Sequence, residues 1–239
     1  MRLMRRWLVA AGAAGMLFCY AGGGGAQPVL ATGAEAQVTG DGLRRIDPQI
    51  METGFVSPDL DLGQYTKIFF MPTVVTFRDV GRNYNPRNTH VKDFPVSELN
   101  RERLRTLFGE TFLEYASQLK PYEMSDEVGR EILMVQGFLV DVVSGVPPSR
   151  PGSNTTFVTR PWEVTVMLEF RDSMSDAILA RTMERQRIDG VYDVTEVGKI
   201  TGQAMHAWSS SLLERMRELV DVGGGRWAGC QTGETDCAL

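Results

Sequence analysis

The sequence predicts an α+β fold: one domain on a mixed sheet of about four strands, ordered strand, helix, strand, strand, strand, helix, with both helices on one face. Three observations carry that expectation. Residues 163–186, EVTVMLEFRDSMSDAILARTMERQ, alternate apolar and polar side chains on either side of a DSMSD turn, the period of a half-buried hairpin. Residues 97–119 and 195–222 each repeat apolar side chains at three- and four-residue spacing, the mark of a helix with one buried stripe. The segment EILMVQGFLVDVVSG is apolar at nearly every position, as a central strand is.

The chain opens on Arg2, Arg5 and Arg6, continues through an apolar run from Trp7 to Ala21, and reaches small residues at GGGGAQP. That is the order of a secretory signal. The run falls short of the roughly 20 residues a helix needs to cross a bilayer, so residues 1–26 are expected to be a removed signal peptide. Gly24 and Ala26 suit cleavage before Gln27. Cys19 offers the alternative of a lipid-attachment cysteine, although large Phe18 stands where such a site takes a small residue. Arg5 and Arg6 leave the twin-arginine route open beside the general one.

Residues 27–53, rich in Gly, Ala, Gln and Thr, read as a flexible leader before a single domain over 54–222. Within it, Lys67 to Phe77 is β-branched and aromatic and predicts a strand, with Pro72 marking an edge or a bulge. Residues 80–95, VGRNYNPRNTHVKDFP, predict a loop. Ser97 offers the N-cap of the first helix, whose stripe is Leu104, Leu107, Phe108, Thr111, Tyr115 and Leu119, and Pro121 should stop it. Gly137 in the apolar strand allows a close approach or a bulge, and a Pro-rich loop runs from Ser144 to Pro161.

In the hairpin, Trp162, Val164, Val166, Leu168 and Phe170 take one face and Glu163, Thr165, Met167, Glu169 and Arg171 the other. The charges of Glu169, Arg171, Arg181, Glu184 and Arg185 then read as cross-strand pairs, worth roughly 0.2 to 1 kcal/mol each. The last helix carries Val197, Ile200, Ala204, Trp208, Leu212, Met216 and Leu219 in one stripe, and Gly223 to Gly225 close it as a cap and joint. The first strand-helix-strand unit should be right-handed and parallel. The final strands should pair antiparallel.

The tail, 223–239, holds Cys230 and Cys237. In an oxidising compartment this pair is expected to form a disulfide, worth about 2 to 3 kcal/mol on the chain-entropy view. Net charge is −5, with 25 basic and 30 acidic residues, and loss of residues 1–26 deepens it by removing three arginines. An acidic chain lacks the electrostatic footprint of a nucleic-acid binder.

Three blocks, DLDLGQYTKIFFMPTVVTF, ILMVQGFLVDVVSGVPP and VTVMLEFRDSMSDAILARTMERQRIDG, followed by the Trp-containing helix, resemble a bacterial exported family, domain of unknown function 3313. Its members are usually predicted lipoproteins of Gram-negative envelopes. The resemblance covers about residues 54–221 and implies a compartment and a fold, but no catalytic residue. Phe18 departs from the lipid-attachment pattern.

Motifs for chemistry are absent. There is no GxSxG, P-loop, HExxH, EF-hand or dinucleotide fingerprint. His90 lies in the first loop and His206 in the last helix, without the companions that a metal shell needs. Asp59 and Asp61 read as a turn before a strand. Asp141 interrupts an apolar strand and is either a buried catalytic carboxylate or, by preference, a paired or solvated one near the strand's end. The expectation is a periplasmic, non-enzymatic binding or assembly accessory without cofactor, with an outer-membrane lipoprotein and a small periplasmic hydrolase as alternatives. Its partner is an unknown envelope protein or ligand, met by the two loops through Tyr84, His90, Phe94 and Phe157. Trp162 is expected to pack.

Overall fold

In the computed structural model, residues 29–30, 38–47, 51–80, 93–120, 122–147 and 157–223 are described. The chain forms β1 (Val29–Leu30), β2 (Arg44–Asp47), β3 (Thr53–Val56), β4 (Lys67–Phe70), β5 (Val74–Phe77) and α1 (Glu98–Ala116). Then follow β6 (Glu123–Met124), β7 (Ile132–Ser144), β8 (Phe157–Val158), β9 (Trp162–Asp172), β10 (Ile178–Arg187), β11 (Tyr192–Asp193) and α2 (Val197–Val222).

The mixed α+β architecture is as the sequence predicts, but the sheet is larger. Nine strands run in the order β1-β2-β3-β10-β9-β7-β4-β6, with β5 also on β7, and β8 and β11 make a separate ribbon. The extra strands come partly from the segment expected to be a flexible leader. There Leu43, Ile46 and Met51 are buried, and β2 pairs antiparallel with β3, which pairs with β10. Three apolar side chains scattered among Gly, Asp and Arg set no clear period. Tertiary burial, and not local pattern, makes this segment a strand.

Residues 67–77 form two strands instead of one. Both run parallel to β7: β4 beside Ile132 to Val135, and β5 beside Phe138 to Val142. Pro72 sits in the break, where its carbonyl accepts from Gln136 Nε2 at 2.8 Å. A residue without an N–H cannot continue a ladder, so the strand divides there. The chain returns to β7 through α1, the expected parallel crossover, and β9 pairs antiparallel with both β7 and β10.

Helix α1 starts on Ser97, whose Oγ accepts from the Asn100 N–H at 3.4 Å. It ends at Ala116, before Pro121, with Leu104, Phe108, Thr111, Phe112 and Ala116 buried. Phe112 lies edge-on to Phe70 at 6.1 Å and covers Gly137, where a Cβ would stand 3.1 Å from Phe112 Cζ. Gly137 is thus a close-approach glycine.

Helix α2 buries Ile200, Ala204, Trp208, Leu212, Met216 and Leu219 as one stripe. The Trp162 indole packs in the core and donates to Thr201 Oγ1 at 2.9 Å. Gly223 follows the helix with φ −81°, so it provides room and not a left-handed cap: a Cβ would fall 2.5 Å from Leu62 Cγ. Both helices cover the face of β7 and β9 that carries Leu139, Val164, Val166 and Leu168, the centre of the core. The opposite face of the sheet bears the charges.

Candidate functional site: an arginine-lined cleft

Strand alternation puts Glu163 and Glu169 of β9 on the face away from the helices. Both are nevertheless buried, at 5% and 3% exposure. Each is enclosed by guanidinium groups.

Around Glu163, Oε1 accepts from Arg78 Nη2 at 3.0 Å and from Arg185 Nη2, while Oε2 faces Arg160 Nη1 at 3.1 Å. Arg78 follows Phe77, whose ring lies beneath the guanidinium groups of Arg101 and Arg105 at 5.0 and 5.5 Å. That clamp from α1 fixes the end of β5. Arg78 Nε donates to both Asp141 oxygens at 3.1 Å, Nη2 donates to Asp141 Oδ2 at 2.5 Å, and Nη1 donates to Asp93 Oδ2 at 3.0 Å. The Phe94 N–H, bonded to the Ser144 carbonyl at 2.8 Å, holds Asp93 in place.

Asp141 is paired and lies near the end of β7, three residues before Ser144, as preferred from the sequence. Its φ is 58°, and the β7–β9 register shifts between Val140 and Val143. A left-handed residue at a bulge turns its side chain out of the alternation, here onto Arg78. Such positions are strained and tend to occur at working sites.

These groups border an open cleft of about 660 Å³ lined by Glu52, Arg78, Asp93, Arg160, Glu163, Arg185 and Arg187. The hydrogen bonds from Arg78 hold the Asp141 carboxyl below its ordinary range, against the upward push of burial. Burial also pushes Glu163 up, but bonds from Arg185 and Arg78 outweigh it and leave the carboxyl below its usual value. Asp141, more than Glu163 or Asp93, raises Arg78 further above its ordinary value. Asp141 and Glu163 are thus held in their charged forms against the arginines.

Glu169 belongs to a second cluster. Arg181 Nε reaches it at 2.6 Å and Arg171 Nη2 at 2.7 Å; Arg181 continues to Asp41 at 3.0 Å and Arg171 to Asp176 at 3.2 Å. These pairs join the hairpin turn to the segment before β2, a structural role in keeping with the cross-strand reading. Glu184 turns to the helix side and meets Arg215 of α2. Arg185 alone of the hairpin charges read as cross-strand pairs joins the cleft.

Of the expected contact residues, Tyr84 and His90 lie outside the described residues, as do Cys19, Cys230 and Cys237. Phe94 is half-buried beside Asp93, and Phe157 is 65% exposed in β8. Neither lines the cleft, but the described ends of both loops do, through Asp93 and Arg160, with Arg78 just before the first. His206 is exposed, its ring 5.9 Å from that of Tyr115. Asp61 accepts from the Gly63 N–H at 2.9 Å, a turn contact. Among the described residues no group of His, Cys, Asp and Glu is placed to hold a metal ion, and no helix is long and apolar enough to cross a membrane.

Sequence reasoning missed Glu163, Arg78, Arg160 and Asp141 as one site. The available signal was Glu163 on the outer side of a strand beginning with Trp162. The arginines that enclose it come from other elements.

No family model matches the chain, and no curated protein does. Among solved structures, it is similar to a protein from Xanthomonas campestris of domain-of-unknown-function family 330, at 9% identity and a TM-score of 0.37, covering 73% of this chain and 94% of that one. A neuraminyllactose-binding hemagglutinin homologue from Helicobacter pylori matches at 13% identity and a TM-score of 0.36, over 70% and 96%. The PelC dodecamer from Paraburkholderia phytofirmans matches at 11% and 0.28, over 67% and 94%.

Proposed function

We propose that this chain is an exported, non-enzymatic binding or assembly accessory of the bacterial cell envelope, and that it works through the arginine-lined cleft. One observation carries the reading: Glu163, at the floor of an open cleft, is enclosed by Arg78, Arg160 and Arg185 and held in its charged form. General acid-base catalysis works best with a group whose pKa lies near the working pH. A carboxylate held below its ordinary range suits recognition better.

The basic, apolar and small-residue order at the N-terminus supports export, as does the resemblance to an exported family. The working form is the mature chain in the periplasm. Osmotic-shock fractionation of host cells, with intact mass of the recovered protein, tests this. A periplasmic form beginning at Gln27 is expected. A cytosolic form retaining residues 1–26 overturns the export reading, and a form beginning at acylated Cys19 replaces the soluble accessory with a lipid-anchored one.

A further inference from the structure

We propose that the cleft binds an oxyanion, a carboxylate or a phosphate, carried on a small hydrophilic ligand and gripped by Arg185 and Arg187. The proposal rests on the reading of the cleft as the binding surface. It goes further by naming the chemistry of the ligand and the donors that meet it.

The donors are already in place. A guanidinium has five N–H groups, and Arg185 directs Nη2 at Glu163 while its side chain stays 58% exposed. Arg187 is 55% exposed, and its Nε is 3.8 Å from Asp189 Oδ2, beyond hydrogen-bond range. In the hairpin register Arg187 stands opposite Glu163 and Arg185 opposite Thr165, so both lie on the outer face of β10 at the cleft. Two adjacent forks on one strand face match the planar, two-oxygen geometry of a carboxylate or phosphate.

The walls carry four arginines and the carboxylates of Glu52, Asp93 and Glu163, with Asp141 and Asp189 behind Arg78 and Arg187. What the mouth offers an anion is the exposed forks of Arg185 and Arg187 and not an excess of charge. Glu163 cannot neutralise the mouth, because its two oxygens already serve Arg78, Arg160 and the inner nitrogen of Arg185. Every wall residue is charged, so the cleft selects a hydrophilic ligand over an apolar one. Its volume of about 660 Å³ falls in the range of small-molecule sites.

Calorimetric titration of the purified protein with glucuronate, glucose 6-phosphate and glucose tests the proposal, with an NMR map of the residues each perturbs. At least one anion should bind and perturb cleft residues, the stronger showing whether carboxylate or phosphate is preferred, while glucose gives no signal. Arg187→Gln should weaken that anion about tenfold with little change in thermal stability, since the ion pair of Arg187 with Asp189 is long, at 3.8 Å, and solvent-exposed. Glucose binding as well as the anions, an Arg187→Gln variant binding undiminished, or anions that do not bind would each overturn it. If glucose alone perturbs the cleft, only the anion assignment fails; if no probe perturbs it, the cleft reading fails as well.

Discussion

Arg78 and Asp141, 63 positions apart in the chain, are joined by a fork in which Nε and Nη2 of the one meet both carboxylate oxygens of the other. Asp141 reaches that position with a φ of 58°, toward the C-terminal end of β7. The pair secures the end of β5 to a bulge and sets the side wall of the cleft.

Replacing Asp141 separates backbone strain from the ion pair. Asp141→Ala loses both the carboxylate and the local tolerance of Asp for a left-handed backbone, and should cost about 2 kcal/mol. Asp141→Gly also loses the carboxylate but relieves the strain, so it should be about 1 kcal/mol more stable than the alanine variant. Urea denaturation of the two variants checks the order.

Glu163 contacts three guanidinium groups at once. Glu163→Ala leaves Arg78, Arg160 and Arg185 facing one another and should cost about 2 kcal/mol, less than a fully dry pair because those arginines are partly solvated. Added chloride should recover part of the loss by screening. Urea midpoints at low and high salt measure both effects.

The carboxyls of Asp141, Glu163 and Asp172 all lie below their ordinary range: Asp141 through Arg78, and the other two because hydrogen bonds outweigh burial. Their charged forms are favoured in the fold. The stability they contribute is present above the unfolded values of about 4 and is lost as pH falls through the folded ones. Unfolding midpoints should therefore decline below about pH 4, with a shallower decline in Glu163→Gln.

Two buried tyrosines should respond in opposite directions. Tyr122 has an enclosed hydroxyl with no partner among the described residues, and burial pushes its pKa up to about 12. Tyr122→Phe should gain about 1 kcal/mol. It should also remove the part of the alkaline instability that begins near the unfolded value of about 10 and grows toward 12. Tyr65 donates to Asp172 Oδ2 at 2.8 Å, so Tyr65→Phe should lose about 1 kcal/mol. Thermal melts at neutral and alkaline pH distinguish them.

Gly137 lies under Phe112, whose ring would have to shift by a few tenths of an ångström to admit a methyl group 3.1 Å from Cζ. Gly137→Ala should cost about 1 to 3 kcal/mol. Combining it with Phe112→Leu should recover part of that cost, a coupling that a double-mutant cycle measures.

The elements legible in the sequence are those whose period is long and uninterrupted: α2 with its stripe from Ile200 to Leu219, the β9–β10 hairpin and the Ser97 cap. β2 was hidden because Leu43 and Ile46 stand among Gly and Arg with no repeat to reveal them. The division of residues 67–77 follows from Pro72, recognised as an irregularity but not as a break. The cleft was least legible. Its parts lie just before β3, just after β5, on β9 and β10 and at the ends of two loops, and no local window contains both Arg78 and Glu163.

Strand β7 carries β9 along one edge and both β4 and β5 along the other. One edge is reached by a chain reversal through residues 145–161, while the other must wait for the chain to return through a nineteen-residue helix. Closing the longer path is expected to set the pace of refolding, which stopped-flow refolding of β5 variants would check. A weakened contact along β5 would then slow the rate at which the native state is reached more than it would hasten its loss.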